Sequence, residues 1–589
     1  MTLRRVWITS LLLTLTASAA QAKTKYQPPT PLSPEQSALV QKAIAAEKVT
    51  IKQIQKHSPL VQTYIQNMKP DQLLYAVPES DQYLLGRVDF GKSITDTSYS
   101  AENNSKGLFK GSLKYVTGLT KAFKMQYISA GFMEMMFLDP ISFDQQHYDF
   151  SYVRRDFLGA VRTLVFDVHP KPGTGSGRFT GRIWVEDQAG NIVRFNGTYT
   201  GGNSDDDSSS YFHFDSWREN LQPGLWLPVG VYVEETQKNS EHPVSFKAQT
   251  FIWGYSLKIP THESDNESIK IDDVQDQSAE SQDLSPLAAQ REWISQAEEN
   301  VLDRLVQAGL LAPASDFDKI LEQVANNMVI GNNIQLTDNL HCRVLLTAPL
   351  ESLAVGNTII LSKGLIDVLP TEADLAAVLS FQLAHIVLGH HIDTRYAFND
   401  RLLFPDEATF ERIHMSHSDA DNELAAKKAL DIMNHSVYAP QLSQPGLFMA
   451  QLSDRSKQLT ALNTPRIGDS LLRPTGEPWM NALIAKGPKL DINKLDQVAA
   501  LPLGSQLKID AWDDRVLALH ARQAPILNAR DKMPFEVTPV FFRLTRYTPP
   551  VVAAPTTPAA GAAENTAPAV DTQQSAAPAQ VSQTQPSPQ

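Results

Sequence analysis

The run Leu375-Ala376-Ala377-Val378-Leu379-Ser380-Phe381-Gln382-Leu383-Ala384-His385-Ile386-Val387-Leu388-Gly389 constrains this chain more than any other stretch. Thr371, followed three residues later by Asp374, marks the start of a capped helix. From Leu375 to Gly389 the polar side chains are Ser380, Gln382 and His385, so nearly every face of the helix is apolar. Such a helix has no side to give to water and must be covered all round. A histidine inside it is more often a hydrogen-bonded core residue than a ligand.

The rest of the 589 residues is organised around that requirement, and the length calls for more than one core. Met1-Thr2-Leu3-Arg4-Arg5, an apolar stretch from Val6 to Leu15, and Ala20-Gln21-Ala22 read as a cleaved secretory signal over residues 1–22. That predicts a periplasmic or secreted protein of the bacterial envelope. No later run is long and apolar enough to span a bilayer, so the mature chain is expected not to be an integral membrane protein. Residues 23–80 read as a helical segment opened by Ser33-Pro34-Glu35-Gln36, with helical spacing continuing to about Met68. Over 81–260 short alternating runs replace it, among them Leu164-Val165-Phe166-Asp167-Val168 and the hairpin pattern from Gly181 through Asp187-Gln188-Ala189-Gly190 to Tyr199. An acidic, serine-rich linker is expected at 261–285 and a helical domain at 286–440. A helical extension at 441–547 follows, with Asp510-Ala511-Trp512-Asp513-Asp514-Arg515-Val516 as a packing segment. Residues 548–589, rich in Pro, Ala, Gln and Thr, read as a disordered tail.

A formal charge of -13, made more acidic by loss of Arg4 and Arg5, argues against nucleic acid or an anionic membrane surface as main partner. Cys342 is the one cysteine, which rules out an intrachain disulfide and fits a small buried side chain. Asp205-Asp206-Asp207 lacks the alternating ligand spacing of a calcium loop and reads as a solvated hairpin tip.

Three features come in a telling order. Ala354-Val355-Gly356-Asn357-Thr358-Ile359-Ile360-Leu361-Ser362-Lys363-Gly364-Leu365-Ile366 reads as a strand turning into a helix, the apolar helix comes next, and Glu423-Leu424-Ala425-Ala426-Lys427-Lys428-Ala429-Leu430 follows. From about Asn300 to Pro440 the series resembles the gluzincin metallopeptidases of family M-48. The resemblance implies a zincin-like peptidase domain with an H-E-x-x-H helix, a glutamate on a later helix as third zinc ligand, and a supporting aspartate four residues on. Its first histidine falls on Phe381, its catalytic glutamate on Gln382 and its second histidine on His385. Its third ligand falls on Glu423 and the supporting aspartate on Lys427. Phenylalanine has no lone pair for a metal that needs three protein ligands. The amide of Gln382 cannot take a proton from a metal-bound water. His385 and Glu423 are thus vestigial metal positions, no catalytic residue is intact, and no cofactor is expected unless other groups rebuild a zinc site.

The remaining histidines offer limited means to do so. His385 and His390, five apart, fall on different sides of a continuous helix, and the adjacent His390 and His391 cannot share an ion from one face. His414 and His417 suit one ion if Glu411–Asp419 is helical; a solvated polar connector is the favoured reading. His341 is isolated.

In the first half, Phe157-Leu158-Gly159, Leu164-Val165-Phe166-Asp167-Val168, Gly181-Arg182-Ile183-Trp184-Val185 and Gly224-Leu225-Trp226-Leu227-Pro228 are similar in spacing to the LolA-like lipoprotein-carrier fold. That resemblance implies a curved antiparallel half-barrel around a lipid or acyl ligand; otherwise the aromatic residues fill a β-sandwich core. The expectation is an α+β multidomain chain: an antiparallel β domain, then a mainly helical, degenerate peptidase domain. The function expected is that of an exported pseudopeptidase that binds a polypeptide or envelope protein partner. An active zinc metalloendopeptidase with an altered site and a lipid or lipoprotein carrier stand as alternatives.

Overall fold

The computed structural model describes residues 29–57, 59–71, 75–87, 97–98, 132–139, 142–174, 178–199, 210–237, 244–255, 286–336, 338–392, 415–465, 467–491, 507–510, 515–518, 534–536 and 544–547. The expected signal segment, the Asp205-Asp206-Asp207 turn, the acidic linker, His414 and the tail lie outside them. No helix among the described residues is long and apolar enough to cross a membrane.

Helix α1 (Pro34–Ile54) opens on a reciprocal cap in which Ser33 Oγ accepts the Gln36 N–H and the Gln36 side chain accepts the Ser33 N–H. It stops at Ile54, and Leu60–Asp71 is strand β1 rather than more helix. Apolar residues four apart satisfy both periods, so the spacing alone misleads. Val61 and Ile65 enter one core from one face of β1, and Leu60 and Tyr64 enter another from the opposite face.

Strands β1, β2 (Tyr75–Arg87), β3 (Thr97–Ser98), β4 (Tyr148–Leu158), β5 (Val161–Pro170), β6 (Phe179–Glu186), β7 (Ile192–Tyr199), β8 (Ser210–Gln222), β9 (Leu225–Gln237) and β10 (Val244–Trp253) build one antiparallel sheet. Its order is β3-β2-β1-β10-β9-β8-β7-β6-β5-β4. Sequence neighbours pair except β3 and β4, which lie at opposite edges, and β1 pairs with the distant β10. Gly181 on β6 faces Gly197 on β7. A Cβ at Gly181 would sit 2.1 Å from the Asn196 carbonyl oxygen and 2.9 Å from the Phe179 ring. Two absent side chains thus let that ring approach the pair closely. Helix α1 and the turn at Met133–Met136 cover this face, packing on Phe166, Phe179, Phe195, Phe214 and Val233. The other face carries Trp184, Trp217 and Trp226. There the Arg194 guanidinium lies 4.4 Å from both the Trp184 and Trp217 rings and pairs with Asp215.

The chain returns to this second face at its far end. Leu544 packs among the tryptophans and its carbonyl accepts the Ala160 N–H, while Arg546 reaches Glu186 and Asp187. The Tyr547 N–H donates to Asn220 Oδ1.

The second half contains α2 (Pro286–Gln307), α3 (Asp316–Gly331), β11 (His341–Leu345), β12 (Glu351–Val355), β13 (Thr358–Ser362), α4 (Lys363–Val368) and α5 (Glu372–Leu388). After these come α6 (Asp419–Asn434), α7 (Ser443–Arg455), α8 (Thr460–Asn463) and β14 (Asp469–Ser470). A small sheet runs β11-β13-β12-β14, with β11 and β13 parallel and the other pairs antiparallel. Helix α5 is the apolar helix of the sequence, and it is covered as its composition demands: α3, α6 and α7 pack around it, with β12 and β13 against it. Thr371 caps it by accepting the Asp374 N–H. Cys342 is buried, and burial with Glu322 and Asp318 nearby pushes its thiol up to about 12.

The extension after residue 440 is not helical throughout. β15 (Leu507–Asp510) pairs with β16 (Arg515–Ala518) and β17 (Pro534–Glu536) in a three-stranded sheet, so Asp510, Arg515 and Val516 are strand residues. The described chain is α+β, with an antiparallel N-terminal sheet followed by helices. Leu60, Tyr64, Tyr83, Leu85 and Tyr232 of the large sheet share one continuous core with α2, α3, α5 and α6. Gln62 accepts the Ala348 N–H at 2.9 Å, and the Trp253 indole donates to the Gly309 carbonyl at 2.9 Å.

Candidate functional site

The interior end of α5 gathers the polar groups of the second half. Phe381, Gln382 and His385 are all fully buried. Gln382 Nε2 donates to Ser352 Oγ at 2.8 Å and faces Asp469 Oδ2 at 3.5 Å. Pairing of Ser352 with Asp469 across β12 and β14 puts the aspartate there. Glu351 fixes the approach to β14: its carboxylate accepts the Thr347 hydroxyl and the Ile467 N–H.

His417 lies just ahead of Ser418, which caps α6. Its Nδ1 is 2.7 Å from Asp469 Oδ2, its N–H donates to Asp469 Oδ1 at 2.7 Å, and both side chains are fully buried. The His417 ring stacks on His385 at 3.8 Å between centroids. His385 Nδ1 is 3.1 Å from His390 Nδ1. Burial first, then the neighbouring His417, push His385 down to about 3, so that ring is neutral near pH 7.

The described residues place the sequence-predicted positions unevenly. Glu423 does not reach the group. Its carboxylate binds Arg473 at 2.5 Å and Lys427 at 3.4 Å on the outer stripe of α6, where Lys427 is largely exposed. The hydrogen bond from Arg473 holds the Glu423 carboxyl below its ordinary range. The inward stripe of α6 is Asn422, Ala425, Ala426, Ala429, Ile432 and Met433, so Asn422 takes the place expected for Glu423. The 3.6-residue period of those apolar positions carries that signal, one residue out of register with the motif alignment.

His390 meets His385 because α5 ends between them. Gly389 adopts φ 67° in the left-handed region, and the His390 N–H closes back on the His385 carbonyl at 3.0 Å. Only a continuous helix would keep the two apart. His391 turns away to Glu298 at 2.9 Å, and that contact raises its affinity for a proton. His417 is neither helical nor a solvated connector, and its partner Asp469 comes from a two-residue strand that no local pattern announces. His341 is exposed beside Glu322.

The zinc arrangement implied by the gluzincin resemblance does not fit these residues. Phe381 offers no donor, and Glu423 is committed to Arg473. No step of that mechanism can be routed through the positions Phe381, Gln382, His385 and Glu423. No protein-family model matches this chain, and no curated protein matches its sequence.

Proposed function

We propose that this chain is an exported, non-hydrolytic relative of metallopeptidases that works in the bacterial envelope by binding polypeptide. Gln382 carries the reading. The resemblance requires a carboxylate there to activate water, and this chain has an amide whose hydrogen bond goes to Ser352 in a fully buried setting. The adjacent Phe381 removes a ligand from the same turn. Loss of both roles beside an intact, fully packed helix favours a scaffold kept for its shape. The composition points the same way, since a strongly acidic chain has little use for nucleic acid.

The test is casein hydrolysis by the purified mature chain, with and without chelator, alongside retention of chemically denatured casein on the immobilised protein. Retention without cleavage is expected. Chelator-sensitive cleavage would overturn the non-hydrolytic reading, and absence of retention would overturn the polypeptide-binding one.

A further inference from the structure

Four side-chain atoms at the inner end of α5 are buried without a hydrogen-bond partner: His385 Nε2, His417 Nε2, Gln382 Oε1 and Asn422 Oδ1. Buried polar atoms are seldom left unpartnered in a folded chain, and these four belong to α5 and to the segment that opens α6. His385, His417 and Asp469 each offer a donor atom, and those atoms lie within 4.8 Å of one another. Their chemistry is that of a cation site rather than of a packed core. Two imidazoles and a carboxylate suit a borderline divalent ion of the zinc class.

The surroundings are arranged for lone pairs. Asp469 Oδ2 lies 2.7 Å from Nδ1 of His417, so the carboxylate and the imidazole already meet side by side. His390 Nδ1 lies 3.1 Å from Nδ1 of His385 and fixes the orientation of that ring. The amide oxygens of Gln382 and Asn422 are neutral donors of the kind that complete such a set. The two rings stack 3.8 Å apart, and the Nε2 of each is among those buried atoms without a hydrogen-bond partner.

We propose that His385, His417 and Asp469 form a closed structural site for one divalent transition cation, with the Gln382 and Asn422 oxygens beside it. Of its three donor residues, His385 alone is a metal-ligand position that the gluzincin resemblance marks. It draws its other donors from the segment before α6 and from β14, and so ties three separated parts of the chain together. It also stands apart from the polypeptide-binding reading, because a structural ion needs no substrate access.

Elemental analysis of the full mature chain, purified without chelator, should return close to one zinc per molecule. Stripping the metal should lower Tm, and adding zinc alone should restore it. Cobalt added to the stripped protein should give the visible bands of a nitrogen-and-oxygen-ligated ion. His417→Gln and Asp469→Asn, which keep side-chain volume, should each lose bound zinc and the zinc-dependent Tm rise, with circular dichroism verifying that they fold. A variant that does not fold is replaced by Asn422→Ala, expected to weaken zinc retention. Metal-free wild-type protein whose Tm and visible spectrum ignore both ions would overturn the proposal, as would full zinc retention in folded His417→Gln. Zinc without hydrolysis supports both readings; zinc with chelator-sensitive hydrolysis keeps the site and removes the non-hydrolytic function.

Discussion

Arg218 on β8 grips Glu47 on α1 through two hydrogen bonds of 2.6 and 2.8 Å, with each side chain 1% exposed. The guanidinium also donates to the Ile192 carbonyl, so the pair pins the helix to the middle of the large sheet. Breaking a buried pair strands a charge at a cost of about 3–5 kcal/mol. Glu47→Ala should therefore lower the unfolding free energy measured by urea titration by that amount. A change below about 1 kcal/mol would mean that water reaches Arg218 once its partner is gone.

Asp81 ties the sheet to the second half. Its carboxylate accepts the Ala461 and Leu462 N–H groups, each at 2.8 Å, and the Tyr64 hydroxyl at 3.1 Å. Asp81→Ala orphans both N–H groups at about 1–3 kcal/mol each. Hydrogen exchange should show the loss first at residues 460–463; unchanged protection there would show that the strand contact is incidental.

Glu186 gives the molecule an acid-sensitive point. Burial alone would raise its carboxyl, but the N–H groups of Asn191 and Gln188, the Asn191 amide and Arg546 outweigh burial and hold it below the ordinary range. A folded value below the unfolded one, about 4.3, means that this stabilisation is complete above that pH. It is lost as pH falls through the lowered folded value. Glu186→Gln should lose about 1–3 kcal/mol at neutral pH and show a flatter acid limb than wild type in thermal melts. Parallel limbs for the two proteins would refute this.

Gln382→Glu sets a second buried carboxylate beside Asp469, where 3.5 Å now separates amide from acid. In the metal-stripped chain destabilisation by about 3–5 kcal/mol is expected, with no gain of casein cleavage, because Phe381 still supplies no ligand. Cleavage by this single variant would show that the helix is one residue from activity.

How much of this was legible varies with the range of the interaction. The caps of α1 and α5 and the burial of α5 follow from contiguous residues. The β1 segment did not, because Leu60/Tyr64 and Val61/Ile65 repeat every four residues and serve two opposite faces instead of one helical stripe. Motif alignment put Glu423 in the site; the inward period of α6, also present in the sequence, puts Asn422 there. Asp469 was beyond reach. It lies far along the chain from α5 and arrives only through the pairing of β14 with β12.

The attachment of Leu544, Arg546 and Tyr547 to the large sheet bears on how the molecule is made. Strands β4 to β9 emerge early in synthesis, yet one face of their sheet is finished by residues near the end of the chain. A chain synthesised from its N-terminus cannot complete this face until residues 544–547 have been made. A chain truncated before residue 544 would lack Leu544 among the tryptophans and the Arg546 contacts to Glu186 and Asp187.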